Sequence, residues 1–211
     1  MIKKISLSLI AIATLGSQNL SASDLNPIFQ FGYDFGGNTL AEVEHYDYYT
    51  GYVVNKIRAG QGVSFEGGAS ITSDSNDLEL KFLVGYKFDQ ESSFNGSVTW
   101  EQVPLTAVAM IKKNRWKFGG GITYHITPRL SGGFSGYDQN NIYFNDSVDD
   151  SYEDTLGTVL EAQYNFTDSA AIGIKGTLIE YKLKNDPSVI ANGNSVGINF
   201  TYTFGKESVY R

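Results

Sequence analysis

Leu78-Glu79-Leu80-Lys81-Phe82-Leu83-Val84-Gly85-Tyr86-Lys87-Phe88 is the most regular stretch of this sequence. Leu78, Leu80, Phe82, Val84, Tyr86 and Phe88 alternate with Glu79, Lys81, Gly85 and Lys87, and only Leu83 breaks the polar set. Successive side chains of a strand point to opposite faces, so a period of two predicts a strand with one apolar and one polar face. The pattern continues toward the N-terminus. Residues 58 to 72 set Val63, Phe65, Ala69 and Ile71 against Gly60, Gly62, Ser64, Glu66 and Gly68, and residues 28 to 37 set Phe29, Phe31, Tyr33 and Phe35 against Gln30, Gly32, Asp34 and Gly36.

Five more segments follow in the other direction. Residues 96 to 112 group Val103, Leu105, Ala107, Ala109 and Ile111, with a change of phase near Glu101 and Gln102 that predicts a bulge there; Pro104 is an unusual strand residue. Residues 115 to 126 set Trp116, Phe118, Ile122, Tyr124 and Ile126 against Lys117, Gly119, Gly121, Thr123 and His125. Residues 155 to 166 set Leu156, Leu160, Ala162, Tyr164 and Phe166 against Gly157, Glu161, Gln163 and Asn165. Residues 170 to 183 set Ile172, Ile174 and Leu178 against Gly173, Lys175 and Thr177, and residues 195 to 204 set Val196, Ile198, Phe200, Tyr202 and Phe204 against Gly197, Asn199, Thr201 and Thr203. Connections 73 to 77, 113 to 114 and 167 to 169 are tight turns, whereas 38 to 57, 127 to 154 and 184 to 194 are long and 89 to 95 is intermediate. Short turns at one end and longer loops at the other are the layout of an eight-stranded antiparallel up-and-down transmembrane β-barrel, with the short turns and both termini periplasmic.

Met1-Ile2-Lys3-Lys4 followed by the apolar run Ile5 to Gly16 reads as a secretory signal peptide over residues 1 to 22, too short to span a bilayer as a helix. Residues 23 to 211 then form one barrel domain. The 211-residue chain has 16 basic and 23 acidic residues, a net charge of -7, which argues against nucleic acid as a partner. It has no cysteine, so disulfides, thiolate chemistry and a lipidated cysteine are excluded. Its 23 glycines, 14 tyrosines and 13 phenylalanines favour strands and turns over helices.

Alternation alone does not say which face is inside; volume does. The interior of an eight-stranded barrel is only just filled by side chains. The apolar faces carry Phe29, Phe31, Tyr33, Phe35, Phe65, Phe82, Tyr86, Phe88, Trp116, Phe118, Tyr124, Tyr164, Phe166, Phe200, Tyr202 and Phe204, too many rings for that space. These rings are therefore expected to face lipid, and those near strand ends to form interfacial girdles. The opposite face carries small residues and ions of both signs: Asp34, Glu66, Glu79 and Glu161 with Arg58, Lys81, Lys87, Lys112, Lys117 and Lys175, and His125 nearby. Unpaired charges are too costly to bury, so a salt-bridged plug is expected rather than an open pore. If Phe166 and Ala170 flank their turn, Glu161 and Lys175 stand opposite each other as an expected pair.

At Ser195-Val196-Gly197-Ile198-Asn199-Phe200-Thr201-Tyr202 the chain resembles the polar-x-Gly-x-x-aromatic-x-aromatic insertion signal of outer-membrane proteins, with Phe204 closing the strand. The resemblance implies that the barrel-assembly machinery reads Gly197, Phe200, Tyr202 and Phe204. The family usually ends at the aromatic residue, whereas Gly205 to Arg211 follow here. Over nearly the whole mature chain the layout resembles the OmpX-like, OmpW-like and opacity-type barrels of Gram-negative outer membranes. That implies an outer-membrane address, with lipid and lipopolysaccharide around a monomer and no cofactor.

Candidate chemistry is sparse. His125 and His45 are the only histidines, and the sequence at His125 reads His125-Ile126-Thr127, without the His-x-Ser motif of lipid A deacylases; a lipid A-modifying enzyme is the least favoured reading. Asn145 to Asp154 gathers five carboxylates without the EF-hand spacing and is expected to be a solvated acidic loop, with a calcium site as the alternative. Tyr46, Tyr48, Tyr49 and Tyr52, with Glu42, Glu44 and Asp47, would suit partner binding, or form an exposed loop. The expected role is structural or surface-interacting without catalysis. Passage or binding of a small hydrophobic molecule, with Val108 and Met110 along the lumen wall, is the alternative.

Overall fold

The computed structural model describes residues 24–47, 51–73, 77–93, 96–137 and 143–205. Among them are thirteen strands: β1 (Asp24–Gly36), β2 (Thr39–Asp47), β3 (Gly51–Arg58), β4 (Gly62–Thr72), β5 (Leu78–Ser93), β6 (Gly96–Lys113), β7 (Trp116–Tyr137), β8 (Tyr143–Ser151), β9 (Thr155–Asn165), β10 (Ala170–Leu178), β11 (Glu180–Lys182), β12 (Ile190–Asn192) and β13 (Ser195–Thr203). Eight of them close a ring in the order β6-β5-β4-β1-β13-β10-β9-β7 and back to β6, each neighbour antiparallel. The eight-stranded barrel read from the sequence is the fold.

The alternation decides the two faces. On β13, Ser195, Gly197, Asn199, Thr201 and Thr203 are buried while Val196, Ile198, Phe200 and Tyr202 are exposed. The same parity runs round the ring, with Phe31, Phe65, Phe82, Phe118 and Ile172 exposed and Gln30, Glu66, Lys81, Lys117 and Gln163 buried. Bulky side chains are outside and ions inside, the inverse of a soluble barrel.

Among the described residues, much of the long connections is strand. β5, β6 and β7 run for 16, 18 and 22 residues, well past the roughly 9–11 that a tilted strand needs to cross a membrane. Their far halves and β8 make a four-stranded sheet beyond the ring, on the side away from the termini. The hairpins β2–β3 and β11–β12 fold back against it. Val43, Ile57, Val98, Trp100, Leu130, Tyr152, Ile179 and Tyr181 form the buried apolar core of this cap. The acidic stretch expected as a loop is therefore largely β8, whose backbone is paired with β7.

Two local expectations need correcting. The phase of β6 never changes: Val98, Trp100, Gln102, Pro104, Thr106, Val108 and Met110 are buried in unbroken alternation. A bulge does lie at the expected level, but its one extra residue is on the facing strand: Glu101 and Val103 pair with Arg129 and Ile126, so Thr127 and Pro128 together oppose Gln102, Thr127 at φ 48°. That one extra residue shifts the parity of β7, so Tyr124 faces outward below the bulge and Leu130 is buried above it. Arg58 is not in the lumen. It ends β3 and is exposed, because the chain turns at Ala59 to Gln61, with Gln61 N donating to Arg58 O, before β4 restarts the alternation.

At the level where barrel becomes cap, Gly37, Gly60 and Gly193 meet backbone to backbone, and a Cβ on Gly37 would overlap the Gly60 nitrogen. Asn38 N donates to Asn192 O at 2.7 Å and Ala59 N to Asn38 O at 3.0 Å. Glycine is required here because three chain segments cross the mouth of the ring in van der Waals contact.

Candidate functional site

Among the described residues, inward parity brings four lysines and five carboxylates to the interior; each ammonium finds one acid, and the fifth, Asp89, is held at the upper end by the Arg58 backbone and Gln61. Lys81 Nζ lies 2.6 Å from Glu161 Oε2, Lys117 Nζ 2.6 Å from Glu79 Oε2, Lys87 Nζ 2.7 Å from Asp34 Oδ2 and Lys175 Nζ 2.9 Å from Glu66 Oε1. Register does place Lys175 opposite Glu161. The expected ion pair between them is nevertheless not made: Lys175 reaches across the axis to Glu66, and Lys81 comes from β5 to Glu161. In so narrow a tube, side chains of opposite walls are as close as neighbours on one wall.

Neutral polar groups complete the plug. Glu161 Oε1 accepts from Gln163 Nε2 at 2.7 Å and from Asn199 Nδ2 at 2.8 Å, and Gln163 Nε2 also donates to Thr201 Oγ1. Lys87 Nζ donates to Gly60 O at 2.7 Å, tying the ionic layer to the glycine crossing above it. At the same height His125 Nδ1 lies 2.7 Å from both Gln102 Oε1 and Tyr181 Oη, and Tyr181 Oη donates to Gln102 Oε1 at 2.7 Å. Above this trio, Trp100 Nε1 donates to Ala59 O at 3.0 Å and its ring meets Tyr152 and Tyr181 edge-on.

A void of about 10 Å³ is bordered by Asp34, Glu66, Lys87, His125, Lys175 and small hydroxyl residues, room for roughly one water molecule. Lower down, Val108, Met110 and Val159 fill the axis beside Gly119 and Gly121, whose missing side chains make that room. Gln30, Asn199 and Thr201 were legible on the polar faces; Trp100 and Tyr181 were not, because the cap that buries them is invisible to strand alternation.

The outward aromatics Phe29, Phe31, Phe35, Phe65, Phe82, Trp116, Phe118, Phe166, Phe200, Tyr202 and Phe204 are exposed; Phe88 and Tyr124 are half-buried among outward neighbours. Gly197 sits inward, directly under the Asp34 carboxylate. Within β8 the carboxylates separate to opposite sides: Asp149 pairs with Arg129 at 2.8 Å, and beyond the strand Asp154 Oδ1 accepts from Thr127 N. No three metal-ligating side chains converge among the described residues. The hydrogen bonds and charge of Arg129 hold the Asp149 carboxyl below the usual carboxylate range, and Ser188 does the same for Asp186. Residues 1 to 22, Tyr48 and Tyr49 and the tail after Gly205 lie outside the described residues, as do the side chains of Glu44, His45, Tyr46, Asp47 and Tyr52.

A closed eight-stranded antiparallel ring, apolar outside and ion-paired inside, is the architecture of the small outer-membrane β-barrels, and the chain has that fold. Among solved structures it is similar to Ail, the attachment invasion locus protein of Yersinia pestis, determined with the heparin analogue sucrose octasulfate; the TM-score is 0.50 at 10% identity, over 85% of this chain and 97% of that one. It is also similar to Neisserial surface protein A (TM-score 0.44, 10% identity, 84% and 96% covered) and to the translocator domain of the autotransporter NalP of Neisseria meningitidis (0.36, 14%, 94% and 94%). At such identities the likeness to Ail is one of fold. No family model and no curated protein matches the chain.

Proposed function

We propose that the chain is an integral outer-membrane barrel with a structural or surface-interaction role and no catalysis, anchored by its outward rings and presenting the cap to the outside. The observation that carries this reading is the ion-paired axis: four lysine–carboxylate pairs cross it above an apolar plug of Val108, Met110 and Val159. A continuous channel would need those ions to be hydrated instead. The cap, with its own apolar core, is the part left to meet other molecules. Its outer carboxylates include Asp149, Glu153, Asp154 and Glu180, so a polyanion such as the ligand held by Ail suits it poorly and a neutral or cationic partner suits it better.

In this reading residues 1 to 22 are a cleaved signal peptide and both termini are periplasmic. The strand ending Gly197, Phe200, Tyr202 and Phe204 is read by the barrel-assembly machinery, and the inserted barrel is a monomer among lipid and lipopolysaccharide. His125 lies on the inward face beneath the cap, hydrogen-bonded to Gln102 and Tyr181, the wrong side for a lipid-modifying residue. The test is purification in detergent, circular dichroism, a heat-modifiability gel and planar-bilayer conductance. A heat-modifiable, electrically silent β-protein is expected. Helical content, solubility without detergent or a steady conductance would overturn the reading, and conductance would favour passage of a small molecule.

A further inference from the structure

Ring and cap share β5, β6 and β7, and at the rim the ladders between these strands are interrupted. Pairing of β5 with β6 stops at Val84↔Leu105 and resumes, in the same register, at Lys87↔Gln102. Pairing of β6 with β7 passes from Val103↔Ile126 to Glu101↔Arg129 across the bulge. Gln102 is therefore paired only with β5, and Val103 and Pro104 only with β7. Pro104 and Pro128 bring no N–H to either ladder, and a bulge bends the strand that carries it. Three consecutive residues of β6 each hold one neighbour where a strand in mid-sheet holds two. They lie at the height where β7 makes its last ring pairing, His125↔Thr155, and the cap begins.

The far side of the rim is built differently. Ring order puts β13 four places from β6 in either direction, diametrically across. There β1 ends at Gly36 and β13 starts at Ser195, and the chain passes into the cap and back through Gly37 and Gly193 instead of through continuous strands. These crossing segments are bonded to one another, Asn38 with Asn192 and Ala59, and Ile179 N with Asn194 Oδ1. Side chains tie them to the ring below: Tyr181 Oη of β11 lies 2.7 Å from His125 Nδ1 of β7, and Lys87 Nζ of β5 donates to Gly60 O at 2.7 Å.

We propose that the cap is a lid that swings on the β5–β7 side of the rim and is latched shut by Tyr181. Hinges are a few residues that absorb a change of backbone direction between two packed bodies. Here the bodies are the ring and the cap with its own apolar core, and the hinge is Gln102 to Pro104 with the facing bulge. The bulge is held to the β8–β9 connection, Thr127 N donating to Asp154 Oδ1 and Tyr152 N to Pro128 O, both at 2.8 Å, which fixes the pivot at β7. Lifting the lid withdraws the Tyr181 hydroxyl from Gln102 and His125 and opens the layer of Asp34, Glu66, Lys87 and Lys175 to the outside. Val108, Met110 and Val159 still close the axis beneath. The inference goes beyond the role proposed above, and the axis stays shut in both positions of the lid.

The chain has no cysteine, so spin labels can be placed in pairs on the full chain in nanodiscs and their separation read by double electron–electron resonance. Val189→Cys with Asp168→Cys spans from the latch side of the cap to a turn at the other end of the barrel, and Ser92→Cys with Asn114→Cys does the same on the hinge side. With Tyr181→Phe the first pair should show a second, longer distance populated roughly tenfold more than in the wild type, the change expected for one buried hydrogen bond. Gln102→Met, which removes the shared acceptor instead, should give the same second distance. The hinge-side distance should not move. Pro104→Val returns an N–H to β6, and combined with Tyr181→Phe it should bring the population back toward the wild type. Both latch variants should keep the heat-modifiable band, because the ring pairings are untouched. Distances identical to the wild type in both latch variants overturn the proposal, as does indifference to Pro104→Val. Equal lengthening of both label pairs overturns it too, since the cap would then be melting rather than swinging. Loss of the band in both latch variants would do the same, because Tyr181 would then be holding the ring itself.

Discussion

Lys81 and Glu161 meet on the barrel axis with side chains 0% and 1% exposed. Taking either partner away strands a buried charge, at a typical cost of about 3–5 kcal/mol, whereas replacing both by apolar groups of similar size often costs little. Lys81→Met should therefore lower the midpoint of urea unfolding in lipid vesicles sharply, and Lys81→Met with Glu161→Leu should recover most of the loss. Recovery will be incomplete because Gln163 and Asn199 lose their acceptor. Additive losses in the double-mutant cycle would show that the pair is not coupled. Gly197 makes a companion case: a Cβ there would overlap the Asp34 carboxylate that holds Lys87. Gly197→Ala should destabilise by a few kcal/mol on the same reasoning, while Gly67→Ala, with nothing within 4 Å of its Cβ position, should stay near wild type. If both glycines tolerate alanine equally in the urea titration, the close packing under Asp34 is not what requires glycine at 197.

Elements were legible wherever one face was apolar and the other polar. Leu78 to Phe88 showed its strand at once because each face has one environment over its whole length. The cap was illegible for the same reason: Tyr152, just past β8, and Tyr181, in the β11–β12 hairpin, are buried by other elements, and no local period announces that. Trp100 could have been caught, since it lies in phase with Gln102, Thr106 and Met110; the apparent change of phase at Glu101 hid it, when the one extra residue sits across the ladder, where Thr127 and Pro128 oppose Gln102. Because the cap has its own core, it should loosen without the barrel. Trp100→Ala removes the ring that Tyr152 and Tyr181 pack against and the bond to Ala59 O, a change worth about 3–5 kcal/mol in a buried site. Protease added from outside should then cut near β8 or β11–β12 while the remaining barrel still migrates as a folded band; uniform loss of that band would show one cooperative unit. At the edge of the cap, acid offers a finer probe. Arg129 depresses the Asp149 carboxyl, so the pair contributes fully above the ordinary carboxylate range and is lost as pH falls through the lowered value. The Asp149 side-chain carbon resonance should titrate below that range and return to it in Arg129→Gln; an unchanged midpoint would remove Arg129 as the cause.

At the scale of the whole molecule one inequality governs the rest: an eight-stranded tube has too little interior for the rings this sequence carries, so the rings go out and the ions go in. That was readable from composition and parity alone. The partner of each lysine was not, since pairing across the axis depends on how opposite walls approach, as the move of Lys175 from Glu161 to Glu66 shows. Sidedness itself makes the sharpest whole-molecule prediction, because a soluble barrel and a membrane barrel respond oppositely to the same substitution. Ile174 is exposed halfway along β10, between the turn-side rings and the cap, and Phe204 is exposed just past the end of β13 near the termini. In a bilayer, a lysine at the midplane costs about 2–4 kcal/mol and one at the interface about 0–1, because the interfacial ammonium reaches water. Ile174→Lys should therefore destabilise the barrel in vesicles by that larger amount and Phe204→Lys hardly at all. In water both changes would replace an exposed apolar side chain by a solvated one and would be neutral or improve solubility. A depth-dependent penalty in the urea midpoints of the two variants is what hydrocarbon around the barrel requires, and equal midpoints would mean that water surrounds it.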